Sequence, residues 1–78
     1  MSDPQHHVLD VPDISCNHCK MAIEAALRGL AGVIAVEVEV PARTVSVRFD
    51  ADELTLQAVK QAIEEEGYAV AAEHELDD

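Results

Sequence analysis

Val36-Glu37-Val38-Glu39-Val40, then Pro41-Ala42-Arg43, then Thr44-Val45-Ser46-Val47-Arg48-Phe49 is the stretch whose reading decides the fold. Val36, Val38 and Val40 alternate with Glu37 and Glu39, and Val45, Val47 and Phe49 alternate with Ser46 and Arg48. A period of two puts one face of each run in a core and the other in water, and the short break between them makes the pair a hairpin.

On either side of the hairpin the period changes. From Asn17 to Arg28 the apolar residues fall at Cys19, Ala22, Ile23, Ala26 and Leu27, continuing to Leu30, the three-and-four spacing of one helix face. Gly29 and Gly32 end it, while Lys20, Glu24 and Arg28 share the wet face at spacings of four. A second helix is predicted from about Thr55 to Glu66, with Leu56, Val59, Ala62 and Ile63 inward, Thr55 as N-cap and Gly67 as the stop. His7 to Val11 reads as a strand with Leu9 and Val11 inward and His7 and Asp10 outward, and Tyr68 to Ala72 reads as the last strand.

The order strand, helix, strand, strand, helix, strand predicts an α+β ferredoxin-like βαββαβ fold, a four-stranded antiparallel sheet with both helices on one face. The whole of 1–78 is read as one domain, folded from about 7 to 72, with polar, frayed ends at Met1 to His6 and Glu73 to Asp78. Met1 and the charged pair Asp77-Asp78 favour a free-standing protein over a piece of a larger one.

Composition narrows the function. At 78 residues a domain buries about 60% of its unfolded surface, which leaves no room for a deep substrate cavity. With 49% apolar residues but one Phe, one Tyr and no Trp, the core is built from Val, Leu, Ile and Ala. No apolar run reaches the roughly 18 residues of a membrane span, and Met1 to His7 lacks the order of a secretory signal, so the expected compartment is the cytoplasm. Sixteen acidic against five basic residues, a formal charge of −11, disfavour nucleic acid and direct membrane insertion. The acidity is read first as solubility and second as steering toward a basic partner.

Cys16 and Cys19 are too close together to staple a fold, so their use is chemical or ligand-forming. The Cys16-Asn17-His18-Cys19 run starts the first helix, where the partial positive charge of the N-terminus lowers thiol pKa values. Two soft anionic donors suit Cu(I), Ag(I) or Hg(II), which accept two ligands, whereas Zn(II) asks for four. The same spacing also occurs in thiol-disulfide oxidoreductases and zinc sites. Against the redox reading, no Trp precedes the first Cys, no Pro lies between the two, and no Pro is placed to face them.

Asp13-Ile14-Ser15-Cys16-Asn17-His18-Cys19, Ala31-Gly32-Val33 and Glu66-Gly67-Tyr68 together resemble the heavy-metal-associated domain family, with bacterial copper chaperones and the N-terminal domains of copper-transporting P-type ATPases as its nearest branches. The resemblance covers roughly Val8 to Val70. It implies the ferredoxin-like fold, a non-enzymatic metallochaperone, Cys16 and Cys19 as ligands of Cu(I), and transfer to a P-type ATPase or its metal-binding domain. It also implies that Tyr68 shields the metal loop; taken alone, the residue would only cap the sheet edge.

The sequence departs from the family pattern before the first Cys, where Asp13-Ile14-Ser15 replaces Gly-Met-Thr. The family's Met is a buried tether, a role Ile14 can fill. Asp13 is a hard oxygen donor near two thiolates, which would help Zn(II) or Cd(II) more than Cu(I). Zinc-exporting members carry Asp immediately before the first Cys, and here that position is Ser15. His18 is a candidate third donor, although the loop's middle residues usually face solvent. Lys20 is a candidate for offsetting the dithiolate charge, Met21 is read as core or gap filler, and His6, His7 and His74 as solvated. The protein is expected to be monomeric, with a metal-bridged dimer as a further state. A metal-sensing domain of a transporter is a third functional reading.

Overall fold

The computed structural model describes residues 4–76. Met1–Asp3 and the Asp77-Asp78 end lie outside the described residues, and with them the expectations placed there. The elements are β1 (Pro4–Asp10), α1 (Asn17–Arg28), β2 (Val33–Glu39), β3 (Thr44–Asp50), α2 (Leu56–Glu65) and β4 (Ala72–Leu76). All strand pairs are antiparallel, in the order β2-β3-β1-β4. No helix among the described residues is long and apolar enough to cross a membrane.

The alternation in the hairpin works as predicted. Val38, Val45, Val47 and Phe49 are buried, while Glu37, Glu39 and Arg48 are exposed. The turn closes through Arg43 N donating to Val40 O at 3.2 Å, with Arg43 at φ 56° in the left-handed region. Near the start of β2 the register shifts between Val33 and Ala35, and Ile34, 58% exposed, is the residue pushed out of the alternation.

The apolar faces of α1 and α2 meet these strands. Ile23, Leu27, Val59 and Ile63 join Leu9, Val11, Ile14, Leu54 and the hairpin residues in one core cluster. Thr55 caps α2, its hydroxyl accepting from Ala58 N at 3.2 Å. Met21, by contrast, is 68% exposed: one residue before Ala22 on a helix turning 100° per residue, it leaves the buried stripe, so it is neither core nor gap filler.

Three strand expectations need correction. β1 begins at Pro4, with His6 paired to Arg48 on one side and Leu76 on the other, so the ordered part starts earlier than expected. The last strand is Ala72–Leu76 rather than Tyr68 to Ala72. The open edge of β1 needs a partner for its backbone groups, and a polar strand supplies it without apolar alternation. Lys60 of α2 reaches Glu73 of β4 at 2.9 Å, which adds a side-chain tie between that strand and the helical layer.

His7 is the third. It shares the inward face of β1 with Leu9 and Val11, is 7% exposed, and stacks on Phe49 with ring centroids 5.4 Å apart. Its Nε2 pairs with Gln5 Oε1 at 3.0 Å, and its buried Nδ1 has no partner among the described residues. His6 and His74 are also engaged, His6 with the Ser46 hydroxyl and His74 with Asp10 at 3.4 Å.

The loop between β1 and α1 is fixed by backbone bonds and one side chain. Val11 N donates to Arg43 O at 2.9 Å, and Ile14 N returns to Val11 O at 3.1 Å. That closes a turn with Pro12 second and Asp13 third, an order suited to proline's fixed φ. Ile14 follows fully buried, so the next residues start from a rigid point. Ile14→Ala is expected to lower stability by about 2–5 kcal/mol, and Ile14→Met by less than about 1.5 kcal/mol, in urea titrations followed by circular dichroism. Equal losses would show that the side chain does not anchor the loop.

Candidate metal centre

Cys16 is the N-cap residue of α1 and Cys19 lies in its first turn. An N-cap side chain normally accepts a hydrogen bond from the helix backbone, but the Cys16 sulfur makes no such cap bond. The two Sγ atoms are 3.7 Å apart, both thiols are free, Cys16 is exposed and Cys19 half-buried. Metal–sulfur bonds of about 2.3 Å allow one ion to bridge sulfurs up to about 4.6 Å apart, so the observed separation is within reach of a shared ion.

Cys19 is the electron-rich member. Its pKa is lowered from 9.0 to about 6, first by a hydrogen bond from the Tyr68 hydroxyl, then by a backbone hydrogen bond at Ser15 and hydrogen bonds at Cys16, against some desolvation. The largest cause is thus a side chain from the opposite end of the sequence, and not the helix start alone. The Tyr68 phenol is raised in turn, chiefly because the same bond is worth most while it keeps its proton. A thiol at about 6 is mostly thiolate at pH 7.

Tyr68 reaches Cys19 because of the way α2 ends. Tyr68 N donates to Ile63 O at 3.3 Å and Gly67 N to Glu64 O at 2.9 Å, with Gly67 at φ +94°. This pair of bonds is the Schellman closure, which demands a left-handed residue at the glycine and turns the next side chain back onto the helix. Tyr68 accordingly packs against the core cluster with its hydroxyl toward the thiol.

The other candidates divide. Ser15 Oγ lies 4.0 Å from Cys19 Sγ, at the limit of a weak contact. Asp13 accepts from Ala69 N through Oδ2 at 3.4 Å. His18 is exposed, and among the described residues no three His, Cys, Asp or Glu side chains converge to hold an ion. Lys20 is half-buried, and its backbone NH goes to Cys16 O at 3.2 Å. What sequence reasoning missed is the Asp13–Ala69 bond, because nothing in the sequence signals a contact between residues 56 positions apart.

Tyr68→Phe removes the first cause of the Cys19 shift. The pH midpoint of iodoacetamide alkylation of the reduced protein is expected to rise from about 6 toward the ordinary thiol range. An unchanged midpoint would mean that the phenol does not stabilise the thiolate.

Known proteins resemble this chain in sequence and in fold. The copper chaperone CopZ of Staphylococcus saprophyticus is 45% identical over 62 residues, covering 80% of this chain and 91% of the relative. That of Bacillus subtilis is 42% identical over 67 residues, covering 86% and 97%. The solution structure of the N-terminal domain of a potential copper-translocating P-type ATPase from Bacillus subtilis, in its Cu(I)-loaded state, superposes with a TM-score of 0.88 at 25% identity, over 97% of this chain and 95% of that domain. The heavy-metal-associated domain family matches residues 8–69, which include the thiol loop, both helices and Tyr68. By sequence match and by fold, the chain belongs to the heavy-metal-associated domain family.

Proposed function

We propose that this protein is a metallochaperone that carries Cu(I) between Cys16 and Cys19 and passes it to a partner dithiol. The observation that carries the reading is the donor set: two free sulfurs 3.7 Å apart at an exposed helix start, one of them mostly ionised at neutral pH, with no third donor converging among the described residues. Two soft donors satisfy Cu(I) or Ag(I), and also Hg(II), but leave Zn(II) or Cd(II) short of ligands. Asp13, the residue that would have favoured a harder ion, has one carboxylate oxygen engaged by Ala69 N. Relatives carrying the name copper chaperone, and a similar domain structure in a Cu(I)-loaded state, support copper as the cargo.

Under-coordination is what permits transfer. A partner thiolate adds to the bound ion from the open side, one cysteine sulfur then leaves and takes up a proton or stays ionised, and the second exchange follows. The ion is never free and no electron moves, so the reading is of a carrier and not of an enzyme. A copper-transporting P-type ATPase, through its own metal-binding domain, is the partner that this chemistry and the family suggest. The carrier works as a monomer, and a second copy can take the partner's place to give a copper-bridged dimer.

Reduced protein titrated anaerobically with Cu(I) against a competing chromophoric chelator is expected to bind one ion per chain, and Cys16→Ser with Cys19→Ser to abolish it. Zn(II) in excess should not displace the copper. Full uptake by the double serine variant, or preferential binding of Zn(II), would overturn the proposal. Because Cys19 must lose its proton to bind, apparent affinity is expected to fall as pH drops through about 6.

A further inference from the structure

The segment 68–71, between α2 and β4, carries Tyr68 and lies outside the sheet. Its near end is fixed by the Tyr68 N and Gly67 N bonds to α2, and its far end by Ala71 N donating to Asp10 O at 2.8 Å. Between these ends, the NH of the exposed Ala69 donates to Asp13 Oδ2 at 3.4 Å. Asp13 itself sits in the turn that Ile14 anchors, three residues before Cys16. Apart from the Tyr68–Cys19 contact, it is the one side-chain bond among the described residues that joins the thiol loop to the segment bearing Tyr68.

We propose that Asp13 is a positioning residue: by holding Ala69 N, its carboxylate clamps the Tyr68 segment onto the thiol loop and keeps the phenol on Cys19.

Charge and clamp are told apart by a variant that removes the charge alone. As a bare negative charge, Asp13 would act on the bound cation only through its charge, so Asp13→Ala and Asp13→Asn, which both lose it, would behave alike. As a clamp, its removal frees Tyr68 and weakens retention. At 3.4 Å the bond is long for a carboxylate acceptor, so its effect is modest. Asparagine retains a side-chain oxygen that can accept from Ala69 N without the charge, and therefore separates the two accounts.

The chain has one Tyr and no Trp, so its near-ultraviolet fluorescence reports on Tyr68 alone. In the metal-free reduced protein, Asp13→Ala is expected to raise the acrylamide quenching constant of that emission, and Asp13→Asn to leave it near the parent value. The retention measurement rests on the carrier role proposed above. In copper-loaded protein, Asp13→Ala should speed withdrawal of Cu(I) by excess chelator roughly two- to fivefold. Asp13→Asn should restore the parent rate, and in a Tyr68→Phe background Asp13→Ala should add nothing further. Unchanged quenching in Asp13→Ala, equal behaviour of the Ala and Asn variants, or slower withdrawal would each overturn the clamp. A parent protein that takes up no Cu(I) would instead overturn the carrier reading, since the quenching comparison needs no metal.

Discussion

Burial of Ile14 in the core is the contact on which the rest of the site depends. The following loop leaves Cys16 exposed and Cys19 only half-buried, so burial of the sulfurs contributes little to its stability. Its rigidity comes instead from just upstream: a turn closed from Ile14 N to Val11 O, Val11 N held by the hairpin turn at Arg43 O, and a fully buried side chain at the last residue before Ser15 and Cys16. A small domain has little stability to spare, and this one places a core residue where a functional loop begins.

Electrostatics near the sulfurs runs against the protein's overall charge. A formal charge of −11 should resist two more negative groups, yet Cys19 is ionised well below the ordinary thiol range. Distance decides the contest. The Tyr68 hydroxyl and the backbone hydrogen bonds act at contact, whereas the acidic side chains act largely through water and are screened over about 8 Å at physiological salt. The thiolate is stabilised by donors that the end of α2 and the loop supply, and the wider acidity remains free to serve solubility or approach to a partner.

How much of this was legible in the sequence follows from how local each feature is. α1 was predicted from Asn17 to Arg28 and forms over those residues, because a long amphipathic period and a glycine stop are written in consecutive positions. The hairpin was legible for the same reason. His7 was misread because its residue type outweighed its position: counting by two from Leu9 and Val11 sends it inward. β4 was displaced toward Tyr68, since Tyr68, Val70 and Ala72 alternate, whereas the real strand, Ala72–Leu76, forms to satisfy the edge of β1 and has almost no apolar face. At the site, the two cysteines were evident from spacing, and Tyr68 entered through family resemblance. The lowering of Cys19 by that phenol and the engagement of Asp13 with Ala69 both join residues about fifty positions apart or more, which no local pattern encodes.

The central claim is that two sulfurs, and nothing harder, hold the ion. Copper K-edge X-ray absorption of the anaerobically loaded protein at neutral pH tests it most directly. The account predicts a copper(I) edge with a first shell of two sulfur atoms and no nitrogen or oxygen. A shell containing an oxygen from Asp13 or a nitrogen from His18 would contradict it.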